Sequence, residues 1–379
     1  MLKRILDIVA VFLVAAVILT GAVPARAQKI PLIRDAEIEN TIRQYAAPVF
    51  RAAKLDSSAV RIYLVRDNSL NAFVGGGQRL FINTGLLIRS TSAEQIIGVI
   101  AHETGHISGG HLARIHEALA HSTAATILSV ILGGAAIGAG RGDVGTAIIA
   151  GGRNVATRNL LNYTRTQESA ADQAALKFLD SAGISAKGFL EFMEILSEQE
   201  LILPERQDPY VRTHPMAQER VATIAAHVAK SPYADKSLPP EFDVMHRRMR
   251  AKLYGYLHPL GRTLRVYKES DDSVESRYAR AIGYYLKPDL EKAVSLIDGL
   301  IAESPRDPYF WELKGQMLFE NGDAKGALTP YETAVGLLPD EGLIRSELAR
   351  VQLELHDPAL LDPAIENLRV ALGQNRDSS

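Results

Sequence analysis

Alternating apolar and polar positions predict a small β-sheet in the first part of the chain. Residues 59–65 alternate in the manner of a half-buried strand. Residues 71–74 and 79–83 lie on either side of a glycine run, which predicts two strands joined by a flexible turn. The polar segment at residues 35–53 precedes these strands and is expected to form a helix.

The hydrophobic pattern then changes to that of a helix. The segment from Thr91 to Glu94 offers a hydroxyl N-cap with a carboxylate three residues later, and the apolar residues 96–100 follow directly. His102 and His106 are therefore expected inside a helix and not in a loop.

Residues 127–152 are rich in glycine and alanine and strongly apolar. Each arm of this segment is too short to span a bilayer, which predicts two helices packed closely through small residues. The alternatives are a membrane-touching hairpin and a mobile cover over an active site. Helical periodicity resumes at residues 154–179 and ends at Gly183.

The C-terminal part of the chain carries a repeat. Pro305 and Pro339 lie 34 residues apart, which matches the period of about 34 of the tetratricopeptide repeat. The characteristic positions of the central copy are occupied by Trp311, Gly315, Ala327, Tyr331 and Ala334, and weaker copies flank it. Such arrays stack helix pairs into a concave surface, so binding of a protein partner is the expected function and structural support is the alternative.

The N-terminal segment has the order of a secretory signal. Lys3 and Arg4 precede an apolar run at residues 5–23, and Ala25-Arg26-Ala27 supplies a cleavage site. We therefore expect residues 1–27 to be removed on export. An uncleaved membrane anchor is the alternative, because the apolar run approaches spanning length.

Composition narrows the chemistry. A chain of 379 residues exceeds one ordinary domain, and a formal net charge of −2 provides no overall electrostatic basis for binding nucleic acid or acidic lipid. The chain has no cysteine, which excludes disulfides, thiolate ligands and a cysteine nucleophile. A metal ion must therefore be held by His, Asp or Glu.

The sequence His102-Glu103-Thr104-Gly105-His106 is the strongest chemical signal. Two histidines four residues apart on a helix share a face and are able to bind one tetrahedral metal ion, and the glutamate beside the first projects toward the bound water. The motif alone does not establish a metal site, and the hypothesis of such a site depends on a third ligand.

One class of such enzymes uses a third histidine at a fixed position after a glycine. Gly109 stands in place here, but Leu112 occupies the ligand position and His111 comes one residue early. That offset turns a helical side chain by about 100°. His111, and with it His116 and His121, is therefore expected to be solvated or structural.

The other class takes a carboxylate from a second helix. Glu168 and Asp172 lie four residues apart, so that one is able to bind the metal and the other to orient a ligand histidine. The small residues 169–171 between them are expected to let this helix approach the first one closely.

These motifs together resemble the HtpX/CAAX-prenyl-protease-like family of zinc peptidases. The resemblance includes Asn71-Ala72-Phe73 and Thr84-Gly85-Leu86 upstream and Thr213-His214-Pro215 downstream of the two helices. The signal segment and the repeats make the chain similar to the BepA-like subgroup, whose members act in the periplasm as protease and chaperone during outer-membrane protein assembly.

The resemblance implies a mainly α fold, in which a helical, gluzincin-like zinc-metallopeptidase domain with a small β-sheet is followed by a tetratricopeptide-repeat α-solenoid. It assigns one Zn²⁺ to His102, His106 and Glu168, with Glu103 as the general base and Asp172 behind a ligand histidine. It also suggests that His214 approaches the zinc and keeps the enzyme latent or stabilises the oxyanion, and that Arg220 fixes the loop. A turn histidine before proline is the alternative for His214.

The expected domains are a metallopeptidase at residues 28–235, a helical connection at 236–272 and the repeats at 273–376. The expected substrates are unfolded or misassembled outer-membrane proteins, gripped at an exposed strand edge, with the assembly machinery as the partner of the repeats. Peripheral membrane association is an additional expectation. The alternative function is a chaperone or scaffold without proteolysis.

Overall fold

The computed structural model describes residues 30–57, 59–76, 78–138, 141–199, 210, 214 and 218–377. The predicted signal segment at residues 1–27 lies outside the described residues, as do Thr213 and Pro215. Residues from Leu32 to Ser379 form one compact unit.

The predicted sheet is present and has four strands among the described residues. They are β1 (Leu32–Ile33), β2 (Arg61–Val65), β3 (Ala72–Gly75) and β4 (Arg79–Asn83), in the order β1-β2-β4-β3. The expected pairing of β3 with β4 is confirmed, with Phe73 opposite Phe81 in an antiparallel register. Strand β2 pairs with β4 in parallel, which leaves β3 at an edge of the sheet.

Helices surround the sheet and share its core. The first ones are α1 (Ala36–Ala52), α2 (Thr84–Arg89) and α3 (Ala93–Gly109). The predicted start of α3 is one residue off, because Ser92 is the N-cap and its hydroxyl accepts from the Gln95 amide. The Gln95 side chain accepts from the Thr91 amide and donates to the Thr91 hydroxyl, so Gln95 supports the start of the helix in place of the predicted Glu94.

Two long helices follow α3. Gly110, at φ 61°, ends α3 in a left-handed conformation, and α4 (His111–Gly138) turns back into α5 (Gly142–Ala182). The predicted packing through small residues is confirmed: a Cβ at Gly133 would meet the Gly145 carbonyl oxygen at 2.6 Å. By length and composition, residues His111 to Ile137 of α4 are long and apolar enough to cross a membrane, a span that begins before the predicted segment of residues 127–152.

Helix α5 also packs tightly on α3. A Cβ at Gly105 would meet the Ala171 carbonyl oxygen at 2.6 Å, so the two backbones approach as predicted. Only Ala171 of the three small residues mediates this approach, because Ser169 and Ala170 are exposed. The core is completed by α6 (Lys187–Gln199), α7 (Gln218–Val228) and α8 (Pro240–Leu257).

A short helix, α9 (Leu260–Val266), leads into three helix pairs. They are α10 (Val274–Leu286) with α11 (Leu290–Glu303), α12 (Pro308–Glu320) with α13 (Ala324–Leu337), and α14 (Gly342–Glu354) with α15 (Leu361–Asp377). The first helices begin at residues 274, 308 and 342, which are 34 residues apart in each case. The predicted repeat period is therefore confirmed.

Buried charges join the repeats to the helices around the sheet. Glu37 of α1 accepts from the Tyr278 hydroxyl at 2.7 Å and pairs with Arg248 at 2.7 Å and with Lys252 at 3.3 Å. Arg248 also pairs with Asp307 at the start of α12. The helix α8 therefore makes buried contacts with the first helix and with the repeats, in addition to connecting them. The domain bounds stay predictions.

Candidate metal centre

Three elements bring the predicted site residues together. Helix α3 contributes His102, Glu103 and His106, helix α5 contributes Glu168 and Asp172, and His214 precedes α7, which carries Arg220. The close approach of α3 and α5 at Gly105 allows side chains from the two helices to meet. The sequence separation of 112 residues between His102 and His214 is closed only by the fold.

Four donor groups face one another in this site. His102 Nε2 lies 3.1 Å from His106 Nε2 and 3.4 Å from Glu168 Oε2. His106 Nε2 lies 3.4 Å from Glu168 Oε1. His214 Nδ1 lies 3.4 Å from His102 Nε2 and 3.0 Å from Glu168 Oε2.

This arrangement fits a tetrahedral metal ion. One ligand atom from each of His102, His106, Glu168 and His214 lies within 4.8 Å of all the others. Ligands bound at 2.0–2.1 Å in a tetrahedron are separated by roughly 3.3 Å, close to the observed spacings. Nitrogen and carboxylate oxygen are the donors that zinc prefers when cysteine is absent.

Asp172 and Arg220 hold the cluster from behind. Asp172 Oδ1 lies 2.9 Å from His102 Nδ1, which directs Nε2 toward the other ligands. Arg220 donates to both Asp172 oxygens, at 2.6 and 2.8 Å, and its Nη1 lies 3.2 Å from Glu168 Oε2. Arg220 therefore anchors both carboxylates, and its expected role in fixing a loop stays a prediction.

Burial and neighbouring charges set the pKa values of the two histidines in opposite directions. Burial lowers the pKa of His102, but hydrogen bonds to Asp172 and Glu168 outweigh it and raise the pKa to about 9. In the metal-free chain His102 therefore holds a proton that a metal ion would displace. Burial and the neighbouring His102 lower the pKa of His106 to about 2, so its lone pair is available to a metal.

Glu103 lies beside the donor group and is fully buried. Its Oε1 lies 3.5 Å from the Tyr210 hydroxyl and 3.6 Å from His214 Nε2. Its Oε2 is buried and has no hydrogen-bond partner among the described residues. Burial raises the pKa of Glu103, which suits a carboxylate that takes up and returns a proton.

Two residues of the site were missed or misplaced by the sequence prediction. Tyr210 is fully buried beside Glu103 and His214, and its place four residues before His214 is the only signal that could have indicated it. The expectation that His111 is solvated is wrong, because His111 is buried and its Nδ1 lies 3.0 Å from His106 Nδ1. The structural expectation for His111 holds, while the side chains of His116 and His121 lie outside the described residues.

The chain is similar to known peptidases over this region. The sequence profile of peptidase family M48 matches residues 33–228, just over half of the chain. These residues include all of the donor groups and Arg220.

Two relatives match a longer part of the chain. A "Putative beta-barrel assembly-enhancing protease" from Vibrio cholerae is 23% identical over 74% of this chain and 58% of its own length. A "Beta-barrel assembly-enhancing protease" from Yersinia pestis is 22% identical over 87% of this chain and 68% of its own length. The chain thus spans little more than half of the first relative's length.

One solved structure, "MamA MSR-1 C2", covers 43% of this chain and 91% of its own length with a TM-score of 0.29 and 16% identity. At that score the likeness supports no conclusion about this chain.

Proposed function

The chain belongs to peptidase family M48, and from this premise we propose that it is a zinc-dependent endopeptidase of the bacterial periplasm. The observation that carries the proposal is the donor group of His102, His106 and Glu168 with the buried Glu103 carboxylate beside it. A zinc ion alone would not require Glu103, whereas peptide hydrolysis requires a base next to the metal.

The residues divide into ligands and supports. His102, His106 and Glu168 would hold the zinc, and Asp172 with Arg220 would fix the orientation of His102 and Glu168. Zinc at such a site lowers the pKa of water toward about 7 and polarises a carbonyl group. Replacing Asp172 or Arg220 would therefore affect the metal site without removing a ligand.

Glu103 would perform the proton transfers. Its Oε2 is buried beside the donor group and has no partner among the described residues, so it is placed to accept the proton of the attacking water. The same carboxylate would then deliver the proton to the leaving amine. Tyr210, whose hydroxyl lies 3.5 Å from Oε1, would hold the other oxygen in place.

His214 would keep the enzyme latent. Its Nδ1 stands at the fourth corner of the donor group, 3.0 Å from Glu168 Oε2 and 3.4 Å from His102 Nε2. A catalytic zinc site keeps that position for water or substrate. His214 would have to move away before cleavage, after which it would be able to stabilise the oxyanion.

The sheet edge would present the substrate. Strand β3 pairs only with β4 within the described sheet and contacts helix α3. An extended chain added to this edge forms main-chain hydrogen bonds without demanding a particular sequence. Unfolded or misassembled outer-membrane proteins would therefore be the substrates, while the repeats bind the assembly machinery.

The presence of four protein side chains in the donor group favours a second function. Four protein ligands at one metal are typical of structural zinc sites, and here four side chains fill the corners. The chain would then act as a chaperone or scaffold, binding assembly partners through its repeats without cutting them.

The test is cleavage of a urea-unfolded outer-membrane β-barrel protein by the zinc-loaded chain from Gln28 onward. Glu103→Gln should abolish cleavage, since it keeps the shape and removes the base, and His214→Ala should increase it. Glu94→Gln, an equal change in the first turn of the same helix, is the matched control. If all four proteins bind zinc and none cuts, the peptidase proposal is wrong and the chaperone function replaces it.

A further inference from the structure

The far end of the α4–α5 hairpin exposes an unusual amount of apolar surface. We define the apolar hairpin end as residues 127–152. Its large exposed side chains on α4 are Ile127, Leu128, Val130, Ile131, Leu132 and Ile137. Ile131 is 61% exposed and Leu128 is 56% exposed. A contiguous patch of this kind marks a binding surface for protein or membrane.

The exposed side chains point in many directions. Successive residues of a helix are rotated by about 100° around its axis. Viewed along the axis, the exposed side chains follow one another in the order Val130, Ile131, Leu128 and Leu132, and together they cover roughly 200° of the circumference. The opposite side of α4 packs on α5, where a Cβ at Gly152 would collide with the Ser129 side chain. A helix that is apolar around most of its circumference is typical of a membrane or of the core of a large protein, and α4 packs against the described chain on the side of α5.

The charges of the hairpin are arranged for a negatively charged surface. Residues 118–140 contain no Asp, Glu, Lys or Arg. Residues 111–167 contain five arginines against two carboxylate residues, and Arg114, Arg158 and Arg165 flank the apolar end with exposed side chains. Arginine beside an apolar helical surface is typical of helices that lie in an anionic membrane interface.

We infer that the apolar hairpin end inserts into one leaflet of an anionic lipid bilayer. The hairpin end lies in the boundary between headgroups and acyl chains, with its exposed apolar side chains in the leaflet. It does not enter deeper, because its turn carries Arg141 and Asp143, whose side chains are exposed and costly to bury in hydrocarbon.

The insertion would place the candidate metal centre near the membrane. Along α5, Glu168 follows Arg153 by 15 residues, or about 22 Å of helix. The site would therefore work on chains that reach it from the bilayer surface. Membrane binding does not depend on cleavage, so Glu103→Gln should bind lipid as the native chain does, and the two proposals fail separately.

The first test is co-sedimentation of the chain from Gln28 to Ser379 with vesicles of phosphatidylethanolamine and phosphatidylglycerol. This chain contains the compact unit Leu32–Ser379 and lacks the apolar N-terminal segment, which would bind vesicles by itself. Leu128→Glu combined with Ile131→Glu should lower the partition coefficient at least about tenfold, since two apolar side chains in the leaflet are replaced by carboxylates. The matched control is Leu353→Glu with Leu372→Glu, which changes two leucines that are 43% and 60% exposed on repeat helices and should leave binding unchanged.

The second test measures depth. The only tryptophan, Trp311, is replaced by Trp311→Phe, and Ile131→Trp is added as an apolar fluorescent probe. Its emission should shift to shorter wavelength on addition of the same vesicles, and lipids brominated near the top of the acyl chain should quench it. An emission maximum that the vesicles leave unchanged would contradict insertion.

Three outcomes of the first test would overturn the inference. The native chain fails to bind the vesicles, or the double glutamate variant binds as well as the native chain, or binding to phosphatidylcholine vesicles equals binding to the anionic ones. A native dimer that the double variant converts to a monomer, without vesicle binding, would also overturn it and would identify a second copy of the chain as the occupant of the apolar hairpin end.

Discussion

The imidazole of His214 stacks on the ring of Tyr210, with centroids 4.3 Å apart and planes 25° from parallel. The His214 amide also donates to the Tyr210 carbonyl oxygen at 2.7 Å. Tyr210 is fully buried and in contact with Phe192 of the core. The position of His214 at the donor group is therefore coupled to the core through one aromatic ring.

Removing that ring should release His214. Tyr210→Leu loses the stacking together with the hydroxyl that contacts Glu103, so it is compared with Tyr210→Phe, which lacks the same hydroxyl. We expect more cleavage of unfolded protein by the Leu variant than by the Phe variant. Tyr210→Phe keeps the ring and is the matched control for latency. Initial cleavage rates at equal zinc content measure the effect, and equal rates for the Leu and Phe variants would show that stacking does not hold His214.

Asp172 should contribute to metal affinity without being a ligand. Asp172→Asn weakens the interaction with His102 Nδ1 and with Arg220, and loss of such a partner typically lowers metal affinity about 10–100-fold. Competition with a zinc-binding dye gives the dissociation constant. Asp180→Asn is the control on the same helix, since Asp180 pairs with His227 at 3.0 Å outside the site. Equal affinities for the two variants would remove Asp172 from the metal centre.

Zinc should stabilise the fold because its ligands join α3, α5 and the segment before α7. At a free concentration about 1,000 times the dissociation constant, a ligand that binds only the folded chain adds about 4 kcal/mol. We expect chelation to lower the melting temperature and zinc to restore it. The variant His102→Ala with His106→Ala should show no such difference, and a difference of equal size would mean that zinc acts elsewhere.

Lys252 should be essential to the junction between the repeats and the first helix. It is buried between Asp35 at 2.9 Å and Glu37 at 3.3 Å. Lys252→Met leaves Asp35 without its cation and Glu37 with Arg248 alone, which we expect to lower the free energy of unfolding by about 3–5 kcal/mol. Lys187→Met is the control, because its partner Asp235 is 92% exposed and surface pairs contribute about 0–1 kcal/mol. Urea titration distinguishes the two, and a loss near about 1 kcal/mol for both would refute the prediction.

His246 should make stability depend on pH. Burial lowers its pKa to about 4, and its Nε2 lies 3.3 Å from the Ser90 hydroxyl. Because the pKa is higher in the unfolded chain, near about 6.5, the contribution is complete above that pH and is lost as the pH falls to about 4. The loss is roughly 3 kcal/mol.

Urea titrations at about pH 7 and about pH 4.5, on either side of the unfolded-state pKa, measure this loss in the presence of a chelator. His246→Gln removes the titrating group and should show a smaller decrease between the two pH values than the native chain. The stability that other groups lose at acidic pH is lost equally by both proteins, so it cancels in the comparison. An identical pH dependence would exclude His246 as its source.

Local chemistry made much of the candidate site predictable. His102 and His106 share a face because four residues make about one helical turn, and Glu168 with Asp172 repeats that spacing on α5. Helix α3 also begins close to the predicted position, although Gln95 and not Glu94 supports its start. Such local signals do not report which residues of other segments reach the site. Tyr210 and His111 were therefore missed or misplaced, since their burial depends on packing between segments.

The sequence by itself determined the metal-binding spacing, the small sheet and the 34-residue period, because each depends on neighbours within one element or on a repeated pattern. Only the tertiary structure decided that His214 stands at the fourth corner of the donor group and that Arg220 holds both Asp172 and Glu168. It also decided which small residue separates α3 from α5 and left the apolar side chains of α4 exposed. These features arise from contacts between distant segments, whose distances are set by packing and not by any local pattern.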